Sequence, residues 1–283
     1  MKREGRNIMM AVAMLAALLF AKTTLAQTAS TGQAAPAQEK GQAAAPAAQE
    51  PAPAPVNAEE DAAMKAFRET PNTELEKKEQ LAEAFLEKHP QSRYRSELYS
   101  WLVQAYYAAG KTDQMEAAGD KELELNPNDV QTLASVGSSL PRATHPGAAD
   151  AAKRWEKAER YCKKALELLP TLVRPENMDD AVFARAKSQT SAMAYSGLGV
   201  AAFRQGKYTE AISNLEQAVR TDPIQDPVNF YVLGVSDQQS AHYDDAVAAF
   251  NKCAALPGGL QTTCKTAADE AKKLAATRLS APK

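Results

Sequence analysis

The chain repeats itself. Aligning YSGLGVAAFRQGKYTEAISNLEQAV with FYVLGVSDQQSAHYDDAVAAFNKCA pairs Leu198 with Leu233, Gly199 with Gly234 and Tyr208 with Tyr243. The same alignment pairs Ala211 with Ala246, Leu215 with Phe250 and Ala218 with Cys253, every pair 35 residues apart. A fixed period of this length is the signature of a unit that cannot bury its apolar face alone and stacks on copies of itself.

Within one unit, Tyr195, Leu198, Gly199 and Ala202 recur at helical spacing and give a first helix one buried stripe. Gly206 is placed to end that helix, because glycine accepts the left-handed conformation needed there. Ala211, Leu215 and Ala218 form the facing stripe of a second, antiparallel helix, and Pro223 prevents its simple continuation. The small residues Gly199, Ala211 and Ala218, with Gly234 and Ala246 in the next copy, let helix axes approach at the close end of the usual range of about 8–10 Å. This unit resembles the tetratricopeptide repeat, whose pattern W-x2-L-G-x2-Y, A-x3-F, A, P is met by Tyr195, Leu198, Gly199, Ala211, Leu215, Ala218 and Pro223. The next copy supplies Phe230, Leu233, Gly234, Ala246 and Phe250 and departs at Cys253, where the family has alanine. One residue beyond the family's period falls in the TDPIQDP turn. The resemblance implies an all-α fold, a right-handed superhelical solenoid of antiparallel helix pairs, covering roughly residues 64–280 within a domain at 58–283.

The clearest repeats span 192–226 and 227–259, and degenerate copies are read at 96–129 and 130–170. The first of these keeps Leu102, Tyr106, Gly110 and Pro127 but has Val103 in the small glycine place and Met115 and Glu122 in the two alanine places, so a less close hairpin is expected. The second opens at Val136 and Gly137 and closes with Ala158, Ala165 and Pro170, and PRATHPGAADAAK between its halves is expected to form a surface loop. Upstream, ELEKKEQLAEAFLEKHP reads as a lone helix ending before Pro90, and with LYSWLVQAYYAAG it resembles the opening repeats of envelope-associated relatives. From Asp179, a suitable N-cap, the chain reads as one helix of 27 residues, longer by a dozen than the family's first helix. The alternative is a short separate helix before the repeat. Residues 260–280 read as the polar-faced terminal helix that caps an open-ended stack.

The first 26 residues have the three parts of an export signal: Lys2, Arg3 and Arg6, then the apolar run Ile8–Ala21, then small residues at Thr24 and Ala26. Lys22 interrupts the apolar run short of the roughly 20 residues of a membrane span, although an uncleaved anchor is the alternative. After cleavage no membrane span is expected, and the location is periplasmic or extracellular. Residues 27–57 hold eleven alanines and five prolines and no aromatic residue, the composition of a disordered tether. Formal net charge is −2, and removing residues 1–26, which carry a net +3, leaves about −5. An acidic chain lacks the basic field of a nucleic-acid binder, which sets aside helical RNA-binding repeats of similar period.

No GxSxG, HExxH or P-loop pattern occurs. His89, His145 and His242 each lack a second ligand at i+3 or i+4, so neither metal nor other cofactor is expected. Cys253 and Cys264 stand at similar distances from the LPGGL turn, opposite each other in an antiparallel hairpin, and export would permit a disulfide. The alternative is that Cys253 simply replaces the family's alanine in packing. Cys162 takes the place of Leu215 in its own copy and is expected to be buried and unpaired. The resemblance further implies a groove lined by first helices that holds a protein or peptide partner. Carried over by position, its lining is Gln104 and Tyr107, then Ser196, Val200, Phe203 and Arg204, then Tyr231, Val235, Gln238 and Gln239, with packing against neighbouring helices as the alternative for the aromatics. The expected role is a non-enzymatic scaffold in a bacterial cell envelope, the alternative an accessory factor or enzyme of envelope or cell-wall assembly.

Overall fold

The small residues of the repeat decide how the helices meet. In the computed structural model, which describes residues 57–280, a Cβ added to Gly199 would stand 2.5 Å from Leu215 Cγ, and one added to Gly234 would stand 2.7 Å from the Phe250 ring. Each glycine therefore receives the large side chain of the facing helix. The described residues are eleven α-helices and one short 3-10 turn, with no strand among them. The export signal and nearly all of the tether lie outside the described residues. No described helix is long and apolar enough to cross a membrane.

The helices run in chain order as α1 (Ala58–Glu69), α2 (Leu75–Lys88), α3 (Arg95–Ala109), α4 (Thr112–Leu125), α5 (Val130–Ala143) and α6 (Ala151–Leu168). They continue as α7 (Asp180–Arg204), α8 (Tyr208–Thr221), α9 (Pro227–Gln239), α10 (Tyr243–Ala255) and α11 (Gln261–Ser280). Consecutive helices pair as α3/α4, α5/α6, α7/α8 and α9/α10, and the first helix of each pair also packs on its neighbours. Gly110 and Gly206 close their first helices at φ +69° and +73°, a region that favours glycine.

Four features differ from the reading of the sequence or resolve it. First, α2 does end at Lys88, but it is not alone: α1 packs on it and buries Met64 and Phe67. Second, α5 runs on through Pro141 to Ala143, so the loop between α5 and α6 shrinks to 144–150. The carbonyl of Gly137, which loses its helical donor at Pro141, lies beside Gly197 of α7. Third, α7 is one continuous helix of 25 residues, about 37 Å at 1.5 Å per residue. Asp179 caps it, its Oδ1 accepting from Ala181 N at 2.8 Å. From Ser196 to Ala202 every residue is buried, because neighbours cover the helix on all sides.

Fourth, the degenerate α3/α4 hairpin keeps its glycine on the opposite helix. Val103 fills the place of Gly199, while Gly119 of α4 fills that of Leu215, and a Cβ on Gly119 would meet Val136 Cγ2 at 2.5 Å. Gly119 therefore makes room for Val136 of the next pair, while Val103 lies at an ordinary contact distance of 3.7 Å from that added Cβ. Ala211, Ala218 and Ala246 are fully buried in their pairs. At the far end Cys253 and Cys264 form a disulfide, Cα–Cα 5.9 Å, tying α11 to α10. Cys162 is free and buried between Gly137 and Gly197, and burial pushes its thiol well above the ordinary range.

Candidate partner-binding groove

First helices α3, α5, α7 and α9 line up side by side, and between them opens a cavity of about 510 Å³. Its walls are amide-rich: Gln104 from α3, Gln131 from α5, Gln189 from α7 and Asn229 from α9. The rim is completed by the 222–226 turn and by Leu256 and Pro257. The side chains of α3 and α5 are linked by Gln104 Nε2 donating to Ser135 Oγ at 3.2 Å, and Thr190 Oγ1 of α7 donates to Gln131 Oε1 at 3.0 Å.

Arg142 stands at the centre. Its Nη1 donates to Asp226 Oδ2 at 2.6 Å, and its Nη2 to Ser196 Oγ at 2.6 Å and Asn229 Oδ1 at 2.8 Å. The continuation of α5 past Pro141 is what brings this guanidinium inward. Asp226 serves twice, because its Oδ1 also caps α9 by accepting from Val228 N at 2.9 Å. The turn that carries it is held by Asp222, whose carboxylate accepts from Ile224 N and Asp226 N, with Gln225 at φ +64° donating to the carbonyls of Val219 and Asp222. Beside the guanidinium, burial pushes the Tyr107 phenol above its ordinary range, against the pull of Arg142. Tyr107 is therefore a neutral donor at any physiological pH.

Of the residues placed in the groove by position, Gln104, Tyr107 and Ser196 line this cavity. The others do not. Val200 is core, packed with Ala211, Leu215, Val232 and Leu233, and Phe203 packs against the same group. Tyr231 lies against Phe250, ring centroids 6.0 Å apart, and Val235 packs on the Ala246–Phe250 cluster. Arg204 donates from Nε to the Pro141 carbonyl at 3.2 Å, so the cation of the cavity is Arg142. Gln238 is half-buried and Gln239 exposed on the last turn of α9, outside the cavity walls. The long helix α7 packs on α5, and the open space lies toward its middle, at Gln189–Ser196, rather than at its C-terminal end. Arg142 was hidden from sequence reasoning by the proline before it, and the one available signal was that PR continues an apolar stripe ending at Leu140.

Residues 192–224 match the family described as Tetratricopeptide repeat. That segment carries a tetratricopeptide repeat. Among solved structures the chain is similar to one titled MamA RS-1 ArsTM double mutant, with 15% identity, covering 80% of this chain and 99% of that one at a TM-score of 0.49. It is also similar to TTC0263, a thermophilic tetratricopeptide-repeat protein of Thermus thermophilus, with 14% identity, covering 75% of this chain and 96% of that one at a TM-score of 0.41. Nothing about function follows from either. No curated protein matches the chain.

Proposed function

We propose that this protein is a non-enzymatic scaffold that holds a protein or peptide partner in the cavity between α3, α5, α7 and α9, in the envelope of the exporting cell. The observation that carries the reading is the cavity itself: about 510 Å³, bounded by rigid helices and supplied with amide donors and acceptors in a row. Side-chain amides offer both a donor and an acceptor, the pair of groups that an extended peptide backbone presents. The cavity is deep enough to dock a few side chains, and stacking supplies its rigidity. The envelope location is supported by the charged and apolar parts of residues 1–26 and by the Cys253–Cys264 disulfide, a bond favoured in oxidising compartments.

Photocrosslinking tests this directly. A photoreactive residue at Gln189, on the cavity wall, is expected to trap a discrete partner in envelope fractions. The same residue at Lys163, exposed on α6, is not expected to trap it. Tyr107→Ala and Gln131→Ala should each weaken that adduct severalfold. Equal trapping from both positions, or an adduct indifferent to both substitutions, would dismiss the cavity as the binding surface.

A further inference from the structure

The fourth repeat buries a carboxylate where the others bury apolar groups. Asp237 of α9 occupies the place held by Tyr106 in α3, Leu140 in α5 and Ala202 in α7, all buried. Its side chain is only 5% exposed. An ionised carboxylate taken out of water is strongly unfavourable unless a cation or a donor meets it, and the group that meets this one is His242. The imidazole of His242, at the start of α10, faces it: Nδ1 lies 3.8 Å from Asp237 Oδ1, beyond hydrogen-bond reach. Asp245, one turn into α10, adds a second carboxylate, and the three donor atoms lie within 4.8 Å of one another.

We propose that Asp237, His242 and Asp245 form a binding site for a divalent transition-metal ion of the zinc type. One imidazole nitrogen and two carboxylate oxygens are donors that such ions take, with bonds of about 2.0–2.2 Å and water in the remaining positions. Three ligands around one ion at those bond lengths are somewhat closer together than the present spacing. His242 and Asp245 are exposed and can swing inward, whereas Asp237 is fixed by packing. Both histidine and buried aspartate are peculiar to this repeat: the preceding copy has Lys207 and Ala202 in their places, with Glu210 in that of Asp245. A lysine or an alanine there could not ligate. The amide end of α10 opposes a cation, and Asp244 and Asp245 in that same first turn offset it. The site joins α9 to α10, and none of its three residues lines the amide-walled cavity. It would therefore fasten the C-terminal repeat rather than take part in partner binding.

The test uses the full untagged chain, stripped with EDTA and titrated calorimetrically with zinc chloride, with cobalt chloride absorption as a second readout. One saturable site is expected, unchanged in His145→Ala and weakened at least tenfold in His242→Ala and in Asp245→Asn. Asp237→Ala places in this repeat the residue type its predecessor already carries, so folding should survive while zinc binding and the zinc-dependent rise in Tm disappear. Absence of saturable uptake by the unaltered chain would overturn the proposal. So would uptake that persists in His242→Ala or Asp237→Ala, or equal binding of magnesium chloride independent of His242, which would mean an acidic surface only.

Discussion

Glu122 of α4 stands in a place that other repeats fill with Ala165, Ala218 or Cys253, and it is fully buried. One carboxylate oxygen accepts from Ser96 Oγ at 2.7 Å, and the other has no partner. Burial raises its pKa to about 7, Ser96 working against the shift and Asp129 adding to it. A folded pKa above the unfolded value means the native state favours the protonated form. The group's contribution is then whole below about pH 4.5 and is lost as pH rises through about 7. Glu122→Gln should therefore change stability little near pH 4.5 and increase it at pH 8. The gain is at most about 3 kcal/mol at roughly 1.4 kcal/mol per pK unit, less what an unpaired amide N–H loses. Urea melts of the two chains at both pH values check this; an equal difference at both would remove the carboxyl from the explanation. The seating of Val136 over Gly119 belongs to the same scale. A small residue at one place serves whichever neighbour packs over it, here Val136 of α5 rather than Val103 of the partner helix.

Helices hold together here by different means at the two ends. At the N-terminal end α1 brings only Met64 and Phe67 into the core, with Phe67 edge-on to Trp101 at 5.3 Å. At the C-terminal end the buried residues of α11, among those described, are Cys264, Ala268 and Ala271, and the disulfide ties it to α10. Closing a loop whose cysteines are 11 apart stabilises by about 2–3 kcal/mol in the chain-entropy account. Replacing both cysteines with serine should remove about that much and speed amide hydrogen exchange in α11 well before α7 and α8 are affected. Uniform exchange through all helices would show that α11 is held by packing alone. The pairs α7/α8 and α9/α10 were legible in the sequence because steric demand wrote glycine and alanine at fixed intervals, and the N-cap Asp179 announced the start of α7. Two buried anchors in twelve residues, as in α1, produce no period to read. The inward turn of Arg142 was hidden for a related reason: Pro141 is a helix breaker by propensity, and only the surrounding stack, with Gly197 packed beside the Gly137 carbonyl, keeps α5 helical through it. Of the groove residues carried over by position, Gln104, Tyr107 and Ser196 line the cavity, and the others pack elsewhere or lie outside its walls.

In a stack of repeats, each unit ordinarily touches only the next, and stability is close to a sum of neighbour terms. Arg142 breaks that rule. It reaches from α5 over α7, where it binds Ser196, to Asp226 and Asn229 at the start of α9, joining second and fourth repeats across the third. The cavity lies under this span, so the link also fixes the spacing of its walls. Asp226 and Arg142 are each about a third exposed, so their attraction is partly screened. Arg142→Met should nonetheless cost about 1–3 kcal/mol, because Ser196, Asn229 and Asp226 lose a shared donor in a half-dry site. Asp226→Asn keeps the helix cap, since asparagine caps as well as aspartate, and removes only the charge. The two substitutions together should therefore cost less than the sum of each alone, a coupling that chemical denaturation of the four chains in a double-mutant cycle measures directly. Hydrogen exchange of the 222–229 backbone should rise in Arg142→Met while that of α3/α4 does not. Strict additivity, with exchange unchanged in the turn, would make Arg142 an ornament of the surface and return the stack to independent neighbours.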